Sequence, residues 1–145
     1  MTLSYFDTSV LLAIMLDEDK KVEAYEYWQK SIRVSSILLK IETIVGLRRI
    51  YENNKHHLEN DWLIRKSKLL NEYLNEVNYM TIDSSIEREI LLRKDLSQCR
   101  SLDAIHIATA LKFKKIINSD KMFLYTFDKA MHNLAKFYKF STNNL

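Results

Sequence analysis

The stretch Leu3-Ser4-Tyr5-Phe6-Asp7-Thr8-Ser9-Val10-Leu11-Leu12-Ala13-Ile14-Met15-Leu16 decides the fold class. Leu3 to Phe6 has the length and the apolar, aromatic character of a short buried strand. Thr8 or Ser9 is placed to cap a helix through Val10 to Leu16, because a hydroxyl at a helix start accepts a hydrogen bond from a free backbone N–H. A strand that runs straight into a helix leaves Asp7 at the strand's carboxyl end. In an open α/β sheet that is the edge where ligands bind.

Working outward, the same transition recurs near the other end: Met122 to Thr126 reads as a strand, Asp128 lies just beyond it, and Lys129 to Phe137 as a helix. Between them the periodicity predicts a helix around Val22 to Lys30, a short strand around Ile32 to Val34, and a helix beginning at Ser35 or Ser36. On that helix Leu38, Glu42, Val45 and Arg49 follow at i+4, i+3 and i+4, so Glu42 borders an apolar stripe. A long amphipathic helix is expected from about Leu58 to Val77, with Trp62, Leu69, Leu70, Tyr73 and Leu74 available both to the core and to a surface for a partner chain, most of them assigned to the core. Tyr79 to Ile82 makes another strand, and Ser84-Ser85-Ile86-Glu87 reads as a capping box for a helix ending near Leu96. Ser101-Leu102-Asp103 opens a helix through about Phe113, and a closing strand is expected at Tyr138 to Phe140. Strands alternating with helices imply one α/β domain over residues 1–145, with a mostly parallel sheet of four or five strands flanked by helices.

Composition narrows the functional classes. The 145 residues match one domain with one core, 47% hydrophobic and 28% charged,. A formal charge of +3 is mild, so attraction to nucleic acid requires a local patch,. The single cysteine, Cys99, forbids an intramolecular disulfide and a cysteine-rich zinc site, and fits a reducing cytoplasm,. With no proline and only Gly46 as glycine, there is no linker and no glycine-rich phosphate loop,. His56 and His57 are adjacent while His106 and His132 lie far apart, which does not match a helical zinc motif,. The first residues lack a basic leader and the apolar run Val10 to Leu16 is far shorter than a membrane span, so neither secretion nor insertion is expected,.

Four acids remain as the chemistry-bearing set. Asp7 and Asp128 each follow a strand into a helix, Asp103 sits in a first helical turn, and Glu42 lies on an apolar-flanked helix. Each alone has an ordinary structural use, as a turn, cap or dipole partner. Together at one edge they would repel, raising one another's pKa, and a divalent cation resolves that conflict. Oxygen-only ligands favour Mg²⁺ or Mn²⁺ over Zn²⁺, and such ions activate water and neutralise phosphate charge. Phosphodiester hydrolysis is the matching reaction. Arg48, Arg49, Arg100, Lys112, Lys114, Lys115 and Lys129 are candidates for a basic flank, though any one of them is also a normal solvated side chain,.

Three stretches carry a family resemblance. Tyr5-Phe6-Asp7-Thr8-Ser9-Val10-Leu11, Ser101-Leu102-Asp103-Ala104-Ile105-His106-Ile107-Ala108-Thr109-Ala110 and Leu124-Tyr125-Thr126-Phe127-Asp128 resemble the acidic motifs of PIN domains, and Leu39-Lys40-Ile41-Glu42 resembles the fourth. Within that family a lone domain of this length resembles the VapC toxins of bacterial and archaeal toxin-antitoxin pairs. The resemblance implies a Mg²⁺- or Mn²⁺-dependent endoribonuclease, commonly a homodimer, held inactive by a cognate antitoxin protein. It implies metal-site acids at Asp7, Glu42, Asp103 and Asp128, with Glu42 either completing the shell or deprotonating the attacking water, and Thr126 orienting a carboxylate or water. His106 fits the family stretch but reads as a packed or hydrogen-bonded histidine. The long connection Lys112 to Lys121 and the lack of glycine near the last motif depart from the pattern and bear on loop length and substrate fit. Two rivals stand beside this reading: a PIN-like module that binds RNA or protein without cutting, and an aspartate-nucleophile phosphatase, against which Ser9 departs from an Asp-x-Asp start.

Overall fold

A computed structural model describes residues Met1–Leu145. In chain order the elements are β1 (Thr2–Phe6), α1 (Thr8–Met15), α2 (Lys21–Gln29), β2 (Ser31–Ser36), α3 (Leu38–Asn54), α4 (Trp62–Leu74), β3 (Asn78–Met80), α5 (Ser84–Leu91), a 3₁₀ turn (Lys94–Gln98), α6 (Ser101–Ile117), β4 (Phe123–Tyr125), α7 (Lys129–Phe137) and β5 (Ser141–Thr142). The five strands form one sheet in the order β3-β2-β1-β4-β5, and every pairing is parallel. No helix is long and apolar enough to cross a membrane.

β1 lies at the centre, and its side chains alternate between two cores, as the pleat requires. Phe6 packs on one face with Leu11, Trp28, Leu39, Leu70 and Leu74. Tyr5 packs on the other with Ile107, Leu111, Leu124 and Met131. The chain steps from β1 outward through β2 to β3, then returns to the other side of β1 with β4. Strand order therefore reverses between β1 and β4, and the crevice outside their carboxyl ends is the place where such sheets bind ligands. The register pairs Phe6 with Tyr125, so Asp7 and the Thr126-Phe127-Asp128 turn leave the sheet side by side.

Several local expectations are corrected. The caps of α1 and α5 are Asp7 and Asp83, whose carboxylates accept from the N–H of Ser9 and Ser85; the serine and threonine positions fall one residue inside each helix. The expected helix to Leu96 ends at Leu91 and gives way to the 3₁₀ turn, with Arg93 out of helical conformation between them. The amphipathic helix expected over 58–77 narrows to α4, and the residues before it form turns. In α4, Leu70 and Leu74 are buried, Trp62 and Tyr73 are partly buried against the core, and Leu69 is exposed. The closing strand lies at Ser141–Thr142, not Tyr138 to Phe140. Lys139 takes φ 64° and turns the chain, which drops Phe140 into the core before pairing resumes beside β4.

Candidate active site

At the end of β1, the extended backbone of Asp7 aims its carboxylate over the first turn of α1. Oδ1 accepts from the Ser9 N–H at 3.0 Å and the Ser9 hydroxyl at 2.5 Å, and Oδ2 accepts from the Thr126 hydroxyl. Asp7 is only 5% exposed. Burial pushes its carboxyl above the usual range, against the opposing pull of the Ser9 and Thr126 hydrogen bonds and the His106 ring,. The Thr126 hydroxyl also accepts the Asp128 N–H at 3.0 Å, and the Ser9 hydroxyl accepts the Phe127 N–H at 2.9 Å. Thr126 is held in turn by the Asn143 side chain, which accepts its N–H at 3.0 Å and donates to its carbonyl at 2.9 Å. Asp128 caps α7, with Oδ1 accepting the Met131 N–H at 2.8 Å. One turn and one helix start are thus locked to the end of β1.

Glu42 and Asp103 arrive from helices. Glu42 Oε1 accepts from the Thr8 hydroxyl at 2.8 Å and lies 2.6 Å from His106 Nε2. Partial burial pushes the Glu42 carboxyl up, but the His106 contact and the Thr8 hydroxyl outweigh it and the net shift is downward. His106 is buried, and its Nδ1 sits 2.6 Å from the Tyr5 hydroxyl. Asp103, in the first turn of α6, is half-buried and takes part in no hydrogen bond of its side chain. Burial and then the Asp128 charge raise its carboxyl pKa, with Arg100 and His106 acting in the opposite direction and Glu42 adding to the rise,.

All four expected acids, Asp7, Glu42, Asp103 and Asp128, line one open cavity of about 300 Å³. Leu102 is its sole hydrophobic lining residue and Arg100 its sole lysine or arginine. Thr126 is fully buried beneath the cavity, behind Asp7. No three of the His, Cys, Asp or Glu side chains, as they stand, are drawn together closely enough to hold a metal ion. The donor chemistry nevertheless fits a hard divalent cation: oxygen atoms only, with a carboxyl at Asp103 that carries no competing partner and two carboxyls whose pKa is raised in the absence of a cation,.

Of the other expected cations, Lys112 and Lys115 are engaged with Ser85 and Glu89, and Lys114 with the Tyr138 and Lys139 carbonyls. Arg49 lines an apolar groove beside Glu42, and Lys129 a separate polar cavity. Arg48 is exposed on α3. Sequence reasoning missed the roles of Ser9, Tyr5 and Asn143. Ser9 and Tyr5 lie inside a quoted motif, whereas nothing in the sequence signals Asn143.

A family model described as PIN domain matches residues 4–137. No curated protein is significantly similar to the chain. Among solved structures, a toxin-antitoxin complex from Klebsiella pneumoniae is similar over 86% of this chain and 86% of its own, with TM-score 0.59 and 19% identity. VapBC2 from Rickettsia felis, bound to a DNA fragment from its promoter, is similar over 99% and 98%, with TM-score 0.66 and 11% identity. PAE2754 from Pyrobaculum aerophilum is similar over 97% and 83%, with TM-score 0.57 and 17% identity.

Proposed function

Because the chain belongs to the PIN domain family, we propose that it is a Mg²⁺- or Mn²⁺-dependent endoribonuclease acting in the cytoplasm as the toxin of a toxin-antitoxin pair. The observation that carries the nuclease reading is the meeting of Asp7, Glu42, Asp103 and Asp128, from four separate elements, in one polar cavity at the strand-order switch. The toxin reading, with a cognate antitoxin protein as partner, draws on the two toxin-antitoxin structures of similar fold; a homodimer as the working form rests on membership of the family.

In this reading Asp7, Asp103 and Asp128 would hold the cation, and Glu42 would complete its shell or take the proton of the attacking water. When bound, the cation supplies positive charge against the phosphate and acidifies water. The chain's own residues do the positioning. Ser9 and Thr126 fix both oxygens of Asp7. The α7 cap fixes Asp128 through Oδ1 and leaves Oδ2 unbonded. Arg100 supplies a positive side chain at the cavity wall for a phosphate oxygen,.

Water attacking in line at phosphorus expels the 3′-oxygen and leaves a 5′-phosphate and a free 3′-hydroxyl. The test is cleavage of a structured RNA by the purified protein, with end-group analysis. Cleavage that EDTA stops and Mn²⁺ restores, giving 5′-monophosphate ends, is expected. Cyclic phosphate ends or full activity in chelator would overturn the chemistry, and RNA binding without cleavage would favour a non-catalytic binding module.

A further inference from the structure

The least expected feature of the site is a buried chain of hydrogen bonds behind Glu42. The Ser36 N–H donates to the Tyr5 hydroxyl at 3.2 Å, the hydroxyl meets His106 Nδ1 at 2.6 Å, and His106 Nε2 meets Glu42 Oε1 at 2.6 Å. Both ends of the chain specify one direction. The Tyr5 oxygen already accepts from Ser36, and its own proton has Nδ1 as its hydrogen-bonded acceptor. At the far end, an unprotonated Nε2 would set a lone pair against a carboxylate oxygen at 2.6 Å, which is repulsive,. These partners assign Nδ1 as the acceptor and Nε2–H as the donor,.

The consequence lies at Glu42, a side chain with three free torsions on a helix whose neighbouring face is exposed at Ile41 and Val45. Its Oε1 receives two donors, His106 Nε2–H and the Thr8 hydroxyl, while Oε2 receives none. One oxygen is saturated and turned to the protein; the other is left for the cavity that Glu42 lines. The chain also ties α3 to β1, β2 and α6, so the acid is registered against the sheet that carries Asp7.

We propose that Tyr5 and His106 are positioning residues: the Tyr5 hydroxyl sets the His106 ring so that Nε2–H holds Glu42 Oε1 and presents Oε2 to the divalent cation or attacking water. This rests on the nuclease reading above. Groups that orient a metal-site carboxylate from behind typically change metal affinity or activity about 10- to 100-fold when removed.

The test pairs side-chain ¹⁵N NMR with Mn²⁺ binding and cleavage. In the wild type, the signals absent from a His106→Gln spectrum should show an unprotonated Nδ1 and a protonated Nε2. Tyr5→Phe keeps the ring and removes the hydroxyl. It should stay folded, weaken Mn²⁺ about tenfold and lower kcat about tenfold with KM for RNA unchanged. His106→Gln places an amide donor near Nε2, whereas His106→Asn places one near Nδ1, so Gln should retain more Mn²⁺ affinity than Asn. In a Glu42→Gln background, Tyr5→Phe should weaken Mn²⁺ no further.

A protonated Nδ1, equal behaviour of the Gln and Asn variants, or additive losses in the Glu42→Gln background would overturn the proposal. A wild type that neither binds Mn²⁺ nor cleaves RNA would overturn the nuclease reading and the proposal with it. A wild type that does both, with Tyr5→Phe indistinguishable from it, would overturn the proposal alone.

Discussion

The two walls of the acidic cavity are built in opposite ways. On the wall formed by the end of β1 and the turn into α7, both carboxylate oxygens of Asp7 and one of Asp128 are hydrogen-bonded, and Thr126, whose hydroxyl joins Asp7 to the Asp128 N–H, is anchored through its own backbone by Asn143. On the wall formed by the start of α6, Asp103 has no side-chain hydrogen bond, and Arg100, Ser101 and Leu102 beside it are exposed. The same residue type is tied by hydrogen bonds on one side and carries none on the other. A cation of strict octahedral geometry, if held as proposed, would gain from one fixed reference wall and one that can adjust to it.

Exchanging one acid on each wall should break the comparison most sharply. Asp7→Asn and Asp103→Asn should each lower kcat by at least about 100-fold, since each removes a carboxylate that would hold the cation. Their stabilities should diverge. Asp103→Asn removes repulsion and no hydrogen bond, so the metal-free melting temperature should hold or rise slightly. Asp7→Asn sets an amide N–H against the Thr126 hydroxyl in a buried network and should lose about 1 kcal/mol. Thermal melts in EDTA decide this, and equal shifts in both variants would erase the difference between the walls.

A smaller effect is expected behind the rigid wall. Thr126→Val keeps the shape but leaves an Asp7 oxygen and the Asp128 N–H without their partner. A loss of about 1–3 kcal/mol follows, or roughly 3–8 °C in melting temperature, with Mn²⁺ affinity reduced about tenfold. Asn143→Ala, one step further back, should cost about 1–2 kcal/mol and reduce cleavage by less than tenfold. If Asn143→Ala affects cleavage more than Thr126→Val, the support does not run through Thr126.

The smallest effect is on pH dependence. The Asp103 carboxyl has its pKa raised in the folded, metal-free protein. The folded state then holds more protons than the unfolded one, so this group lowers stability as pH rises from the ordinary carboxylate range, near 4, through its raised value. The melting-temperature advantage of Asp103→Asn over wild type should therefore grow with pH across that window in EDTA. With saturating Mn²⁺ it should shrink or reverse. An advantage independent of pH would place the Asp103 charge away from its neighbours.

Much of this arrangement is legible in the sequence because it follows from short-range rules. Apolar strands that end in Asp7 and just before Asp128 announce both the sheet edge and the residues on it, and i+3, i+4 spacing puts Glu42 beside an apolar stripe. The parts that stay hidden depend on distance along the chain. Tyr5 and His106 are 101 residues apart and Thr126 and Asp7 are 119 apart, so no periodicity links them. Asn143 follows β5, a two-residue strand too short to leave a pattern. The caps lie just before the expected hydroxyl residues because Asp, Ser and Thr all cap well, and only the backbone angle at Asp7 and Asp83 decides among them,.

On the proposed function, Asp7, Glu42, Asp103 and Asp128 form one divalent-cation site. Electron paramagnetic resonance titration of Mn²⁺ into the wild type and into Asp7→Asn, Glu42→Gln, Asp103→Asn and Asp128→Asn tests it without requiring the natural RNA. Saturable Mn²⁺ binding is expected for the wild type, weakened at least about tenfold in each of the four variants. A wild type that leaves Mn²⁺ free in solution, or aspartate variants that bind it as the wild type does, would mean that these acids do not form such a site.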